Sequence, residues 1–221
     1  MFRQISLLIL SLLLSCPILA QEKSRNCTGP YHVKTETKIC KYDITYPKLG
    51  NVQVECEVRK WIDSQKAEFD EGLDLDEYVK QKNEFWITCD VFDSGDTQSV
   101  LVSNYEYAQG AHGSTEIKTY VFDKKTGEQY VIYDVIDDKK DWMKAIYPFI
   151  LEKDDKDDMS LIIPETENNI FRFKNFVLDH NDLIICFDEE SVGPHSYGIV
   201  DLTIPLSKIK KVLKKKFQPT N

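Results

Sequence analysis

Between Phe85 and Asp123 the chain alternates apolar and polar residues in runs too short for helices, and turn residues separate the runs. Phe85, Ile87, Cys89 and Val91 alternate with Trp86, Thr88 and Asp90. Asp93-Ser94-Gly95-Asp96 has turn chemistry. Val100 to Tyr107 alternates again, with Leu101, Tyr105 and Tyr107 on one face. Ile117 to Asp123 and Glu128 to Tyr133 read as two more runs, joined by Lys124-Lys125-Thr126-Gly127, where Gly127 supplies a positive φ. A period of two buries one face of a strand and leaves the other open, so this stretch demands a sheet built from hairpins.

The flanks add helices. Thr35 to Tyr46 reads as a strand ended by Pro47, and Asn51 is placed to cap a helix carrying Val54, Val58, Trp61, Ile62 and Phe69 on one face. A second helix begins at Asp138 or Asp141 with a Trp142, Ile146, Phe149 and Ile150 stripe. Phe176–Leu178 and Leu183–Phe187 form a hairpin, and Gly198–Ile204 a last strand. Pro205 opens a predicted closing helix with Leu206, Ile209, Leu213 and Phe217 inward. The order predicts an α+β fold, an antiparallel sheet with helices packed on one face.

Residues 1–20 have the layout of a secretory signal peptide: a basic start, an apolar stretch from Ile5 to Leu14 too short to span a bilayer, then Gln21 opening the polar chain. Cys16 lies in a lipobox-like Leu13-Leu14-Ser15-Cys16, which leaves a lipid anchor open as the alternative. A secreted or periplasmic location is expected, or a lipid-anchored one. Without that leader and its Arg3, the basic count falls from 28 to 27 against 37 acidic residues. Such an acidic body repels phosphate backbones and is not expected to bind nucleic acid; it suits basic partners. Cys27, Cys40, Cys56, Cys89 and Cys186 are disulfide candidates, with one thiol left over. Cys56 falls off the apolar stripe of its helix and can meet Cys27 or Cys40; a Cys27–Cys40 loop is the other option. Asn26-Cys27-Thr28 has the form of a glycosylation sequon.

No G-x-S-x-G, H-E-x-x-H or phosphate-binding glycine loop is present, and no metal or cofactor is expected. The chemistry on offer sits in two glycine-marked loops. Gly110, His112 and Gly113 lie in one; Gly193, Pro194, His195 and Tyr197 lie in the other. The histidines are candidates to converge with Asp134, Asp188 or Glu189, although turn histidines more often bond backbone. The glycines either adopt angles closed to other residues or admit a close approach. Tyr105, Tyr107, Tyr120 and Tyr197 are candidates to stack on sugar or anchor a protein, with ordinary half-buried strand positions as the plainer reading. The lysines from Lys208 to Lys216 suit the dipole of a final helical turn better than a membrane surface.

The stretches "YEYAQGAHGSTEIKTYVFDKKTGEQYVIYDVI" and "FVLDHNDLIICFDEESVGPHSYGIVDLTIPLSKI" resemble the extracellular C-terminal domain of RsiV-type anti-sigma factors. "YDITYPKLGN" and the helix after it resemble the small domain usually found before it, also seen in PdaC-type peptidoglycan deacetylases. The resemblance implies a PdaC-like strand-helix-strand region over 21–95 and an RsiV-like domain over 96–221. It also implies a non-enzymatic envelope binding protein whose ligand is lysozyme or peptidoglycan, with Gly110, Ala111, His112, Gly193 and Pro194 as shared signatures. The leader stands where those receptors carry a cytosolic segment and a span, so no sigma-factor role is expected. A cell-wall glycan hydrolase or modifying enzyme using His112 or His195 is the alternative, and a ligand-free envelope component a third.

Overall fold

The computed structural model describes residue 27 and residues 29–73, 81–157 and 159–219. The leader with Cys16, Asn26 and Thr28 of the sequon, and most of the acidic stretch after Leu73 lie outside the described residues. The protein is α+β, with a five-stranded sheet in the order β1-β2-β3-β4-β5 and a three-stranded sheet β6-β7-β8. The first holds β1 (His32–Glu36), β2 (Cys40–Thr45), β3 (Asn83–Ser94), β4 (Thr97–Tyr107) and β5 (Ser114–Asp123). The second holds β6 (Phe176–Asp179), β7 (Asp182–Phe187) and β8 (Val200–Pro205). Among the described residues the α-helices are α1 (Val52–Gly72), the single turn α2 (Ile132–Val135) and α3 (Trp142–Asp157).

The run predicted as one strand from Thr35 to Tyr46 is a hairpin. Thr37 makes the difference: its Oγ1 accepts from Ile39 N at 3.3 Å and Cys40 N at 3.0 Å, closing a turn inside the run. Asn51 caps α1 as expected, its Oδ1 accepting from Gln53 N and Val54 N. Because α1 crosses over between β2 and β3, those two strands pair in parallel, the one departure from an antiparallel sheet. Val54, Val58, Ile62 and Phe69 of α1 are buried with Ile44, Phe85, Ile87, Val100, Val102, Tyr120 and Phe122. Each large apolar side chain removed from water there contributes about 1.5–3 kcal/mol.

The opposite face of the sheet meets the second unit near β5. Ser99 Oγ accepts from Leu178 N at 3.0 Å, Thr119 Oγ1 accepts from Phe176 N at 3.1 Å, and Val121 joins the apolar cluster of β6–β8 and α3. That cluster holds Trp142, Ile146 and Ile150 as predicted.

Two predicted elements are absent. Glu128–Tyr133 makes only a single bridge, Phe122 to Gln129, before turning into α2. The closing helix is replaced by 3-10 turns at Lys210–Val212 and Lys215–Phe217. The tail pairs instead with the segment after α2: Asp137 N donates to Val212 O at 2.8 Å, and Lys214 N to Val135 O at 2.9 Å. Tertiary pairing thus overrides a helical apolar spacing, and the dipole role expected of the lysines goes with the helix. Lys216 instead lies over the Tyr130 ring, 4.1 Å from its centre, and bonds its hydroxyl.

Cys27 bonds Cys56. Cys40, Cys89 and Cys186 are free, three thiols where one was expected. Cys40 faces the core from β2 at 0% exposure and cannot reach the back of α1. Burial pushes the Cys89 thiol up to about 12 and the Cys186 thiol higher still, so neither is a ready thiolate.

Candidate functional site

The β4–β5 and β7–β8 connections meet at one end of the molecule. They bring His112 and His195 together, ring centres 4.1 Å apart and 33° from parallel. His195 Nδ1 lies 3.6 Å from both Glu189 Oε2 and Glu190 Oε1. His112 Nδ1 is 2.9 Å from Gly113 O, the backbone contact the plainer reading predicts. The two imidazoles, Ser114, Thr115, Glu116, Asp188, Glu189 and Glu190 line a shallow cleft of about 350 Å³. Of the expected carboxylate partners, Asp188 and Glu189 arrive. Asp134 does not: its Oδ2 accepts from Val131 N at 2.9 Å and closes the turn of α2.

Two of the cleft carboxylates also hold the fold. Glu189 Oε2 accepts from Thr115 N at 2.9 Å, and Asp188 Oδ1 from Ile117 N at 3.2 Å. Asn175 Nδ2 bridges Asp188 Oδ2 and Ile117 O. These contacts tie the β7–β8 loop to the outer edge of β5. Arg172 bonds Ser191 O of the same loop at 3.2 Å and links it to Ile162 O, in the segment after α3, at 2.8 Å. Among the described residues, no lysine or arginine pairs with Glu116, Asp188, Glu189 or Glu190. No group of three or more His, Cys, Asp or Glu among the described residues is arranged to hold a metal ion.

Two of the candidate glycines, Gly113 and Gly193, serve close approach. A Cβ at Gly113 would stand 2.4 Å from the Tyr105 ring, and one at Gly193 2.3 Å from the Tyr197 ring. Gly110 has neither that crowding nor a positive φ; the left-handed position in its loop belongs to Gln109, at φ 58°. Pro194 leads into the 3-10 turn His195–Tyr197, and Tyr197 Oη accepts from Ser160 N at 3.0 Å. Tyr120 is 5% exposed in the α1 core and is not presented to a ligand. Tyr107 is half-buried on β4.

Tyr105 leads to a residue outside the predicted set. Its ring pairs with Trp86 of β3, centres 4.9 Å apart, and Trp86 is 42% exposed. Trp86 reads in sequence only as the outward half of an alternation. Its partnership depends on the β3–β4 register, which no local signal carries. Desolvation, then the charges of Glu84, Tyr107 and Glu189, raise the Tyr105 phenol, which stays a neutral hydrogen-bond donor.

This architecture defines an α+β domain with an acidic, histidine-bearing cleft beside an open aromatic sheet face. Residues 133–207 match the family model DUF3298, described as a protein of unknown function. That segment supplies the Asp188–His195 wall of the cleft; His112 and β5 lie outside it. Peptidoglycan-N-acetylmuramic acid deacetylase PdaC of Bacillus subtilis (strain 168) is 23% identical over 188 residues. The match covers 81% of this chain and 40% of that protein, so the chain spans well under half the length of this relative. Two solved structures share the fold. A DUF3298 family protein from Pseudomonas aeruginosa PAO1 superposes with a TM-score of 0.62 at 13% identity, covering 89% of this chain and 100% of that one. A DUF3298 member from Bacteroides fragilis NCTC 9343 gives 0.54 at 14% identity, covering 83% and 92%.

Proposed function

We propose that this chain is an exported envelope binding protein that captures a basic protein of the lysozyme kind in the His112–His195 cleft, without turnover. The observation carrying this reading is four carboxylates facing one concavity with no lysine or arginine paired to them among the described residues. A concave site of one sign focuses its field and draws a cationic surface into it. The Cys27–Cys56 bond fits an oxidising compartment, and no described helix is long and apolar enough to cross a membrane. The resemblance to RsiV-type domains supports the choice of ligand. Calorimetry against lysozyme tests it: a complex is expected at low ionic strength that weakens with salt, and Glu116→Lys with Glu190→Lys weakens it by about tenfold or more. No complex at low ionic strength removes the proposal.

A second reading rests on the relative named as a peptidoglycan deacetylase and on the two glutamates beside His195. Here the cleft acts on cell-wall glycan with His112 or His195 as the working base. His112→Ala, on an exposed loop, then abolishes turnover of cell-wall fragments while leaving the melting temperature unchanged.

A further inference from the structure

The strand registers place Lys34, Asp43, Trp86, Tyr105 and Thr115 in one transverse row across all five strands. Residues opposite one another in adjacent strands share a face, and this is the face turned away from α1. The second sheet covers that face farther along the strands, at Ser99 of β4 and Thr119 of β5, and its β6–β7 turn meets the far end of β3 at Asp93 and Ser94. Around Trp86 it is open, with a hollow of about 240 Å³ beside the indole, lined by Lys34, Glu36, Lys41, Asp43 and Trp86 among others.

The charges around the indole are spoken for. Lys34 Nζ is 3.0 Å from Asp43 Oδ2, and His32 Nε2 is 2.6 Å from Asp43 Oδ1. Lys41 Nζ is 3.1 Å from Glu84 Oε1, and Lys82 Nζ is 2.5 Å from Glu36 Oε1. The surroundings are therefore densely polar but locally balanced. A nucleic acid needs uncompensated positive charge, and a cationic protein needs uncompensated negative charge. An apolar protein surface needs a wider patch than one aromatic pair ringed by ions.

A neutral sugar fits what is left. The C–H face of a pyranose ring lies flat on an indole. Its hydroxyls use donors and acceptors together, as ammonium and carboxylate groups side by side provide. Four strand spacings make the row on the order of 19 Å long, enough for several consecutive sugar rings. We infer that the Trp86–Tyr105 face is a stacking site for a neutral glycan chain of N-acetylated sugars, laid across the strands toward the cleft. This site adjoins the cationic-partner site in the cleft, with Thr115 common to both, but rests on different side chains and is tested apart from it.

The test is calorimetric titration of the full chain with an oligomer of N-acetylglucosamine. Saturable binding that is insensitive to salt is expected. Trp86→Ala weakens it by about tenfold or more, while Trp86→Phe keeps most of it. Trp86→Phe keeps a ring against Tyr105 and stays near wild-type stability, whereas Trp86→Ala forfeits the pair at a cost of about 0.5–1.5 kcal/mol; both retain the wild-type circular dichroism and stay folded at the titration temperature. The Glu116→Lys, Glu190→Lys protein still binds the oligomer, and Trp86→Ala still binds the basic protein, so the two sites fail separately. No binding by the wild-type chain, or equal binding by Trp86→Ala, overturns the assignment.

Discussion

Gly113→Ala puts the link between cleft and aromatic face to a quantitative test. The added Cβ lies 2.4 Å from Cε2, Cζ and Oη of Tyr105, where ordinary contact begins at 3.4 Å. The ring must retreat by about 1 Å. Tyr105 is only half-buried, so the overpacking cost is taken at the low end of its range, ~1 kcal/mol. Drawing the ring off Trp86 forfeits part of the aromatic pairing, and the combined loss is about 1.5 kcal/mol. The sign reverses in a Tyr105→Ala background. Gly113 is not among the glycines with positive φ, so with the ring gone alanine only stiffens the unfolded chain and stabilises by ~0.5 kcal/mol. Urea unfolding of the wild type, both single variants and the double variant reads this as a coupling of about 2 kcal/mol. An equal penalty in both backgrounds refutes the reasoning and assigns the glycine to its backbone angles.

Two further outcomes rest on other parts of the fold. The Cys27–Cys56 bond spans a sequence separation of 29, and loop-closure entropy for a ring of that size gives ~3.6 kcal/mol. Replacing both cysteines by serine is expected to lower the unfolding free energy by roughly that amount in denaturant titrations, and a loss below about 1 kcal/mol contradicts it. Glu106 is pushed up by burial, and by Glu116 and Glu68, against a lowering bond from Asn104. A raised carboxyl favours folding below its unfolded value and loses that contribution as pH rises through its folded value. Glu106→Gln is therefore expected to stabilise at neutral pH, by a few tenths to ~1 kcal/mol after solvent screening, and to lose the gain under acid. A gain that persists unchanged at low pH assigns it to something other than charge.

Local periodicity carried the strands from Phe85 to Asp123, the Asn51 cap and the α3 stripe, because each is decided by neighbours in sequence. The failures came where distant backbone decides. Thr37 broke one strand in two through its own hydroxyl. The tail gave up a helix to pair with Val135 and Asp137. Cys56 was placed correctly off the core stripe, but only the inward set of Cys40 separates its two possible partners. At the site, the two glycine-marked loops were legible, and so were the histidines and the Asp188-Glu189 pair. Trp86 was not, since a residue on the open half of an alternation gains meaning only from what stands opposite it.

The same carboxylates that make the cleft negative also close an edge. β5 ends the five-stranded sheet, and an unpaired edge invites another strand. Glu189 and Asp188 take the N–H groups of Thr115 and Ile117, and Asn175 takes the Ile117 carbonyl. A partner at this end therefore finds the backbone ladder already occupied and meets side chains: two imidazoles, the outer carboxylates and, two strands across in the row of Thr115, the indole of Trp86. Recognition by strand addition is shut off there, which leaves charge in the cleft and stacking on the face as the means of choosing a ligand. The fold gains its edge protection and its binding chemistry from one loop, so loss of Asp188 is expected to damage both together, whereas loss of Glu190, which bonds no backbone, touches only the second.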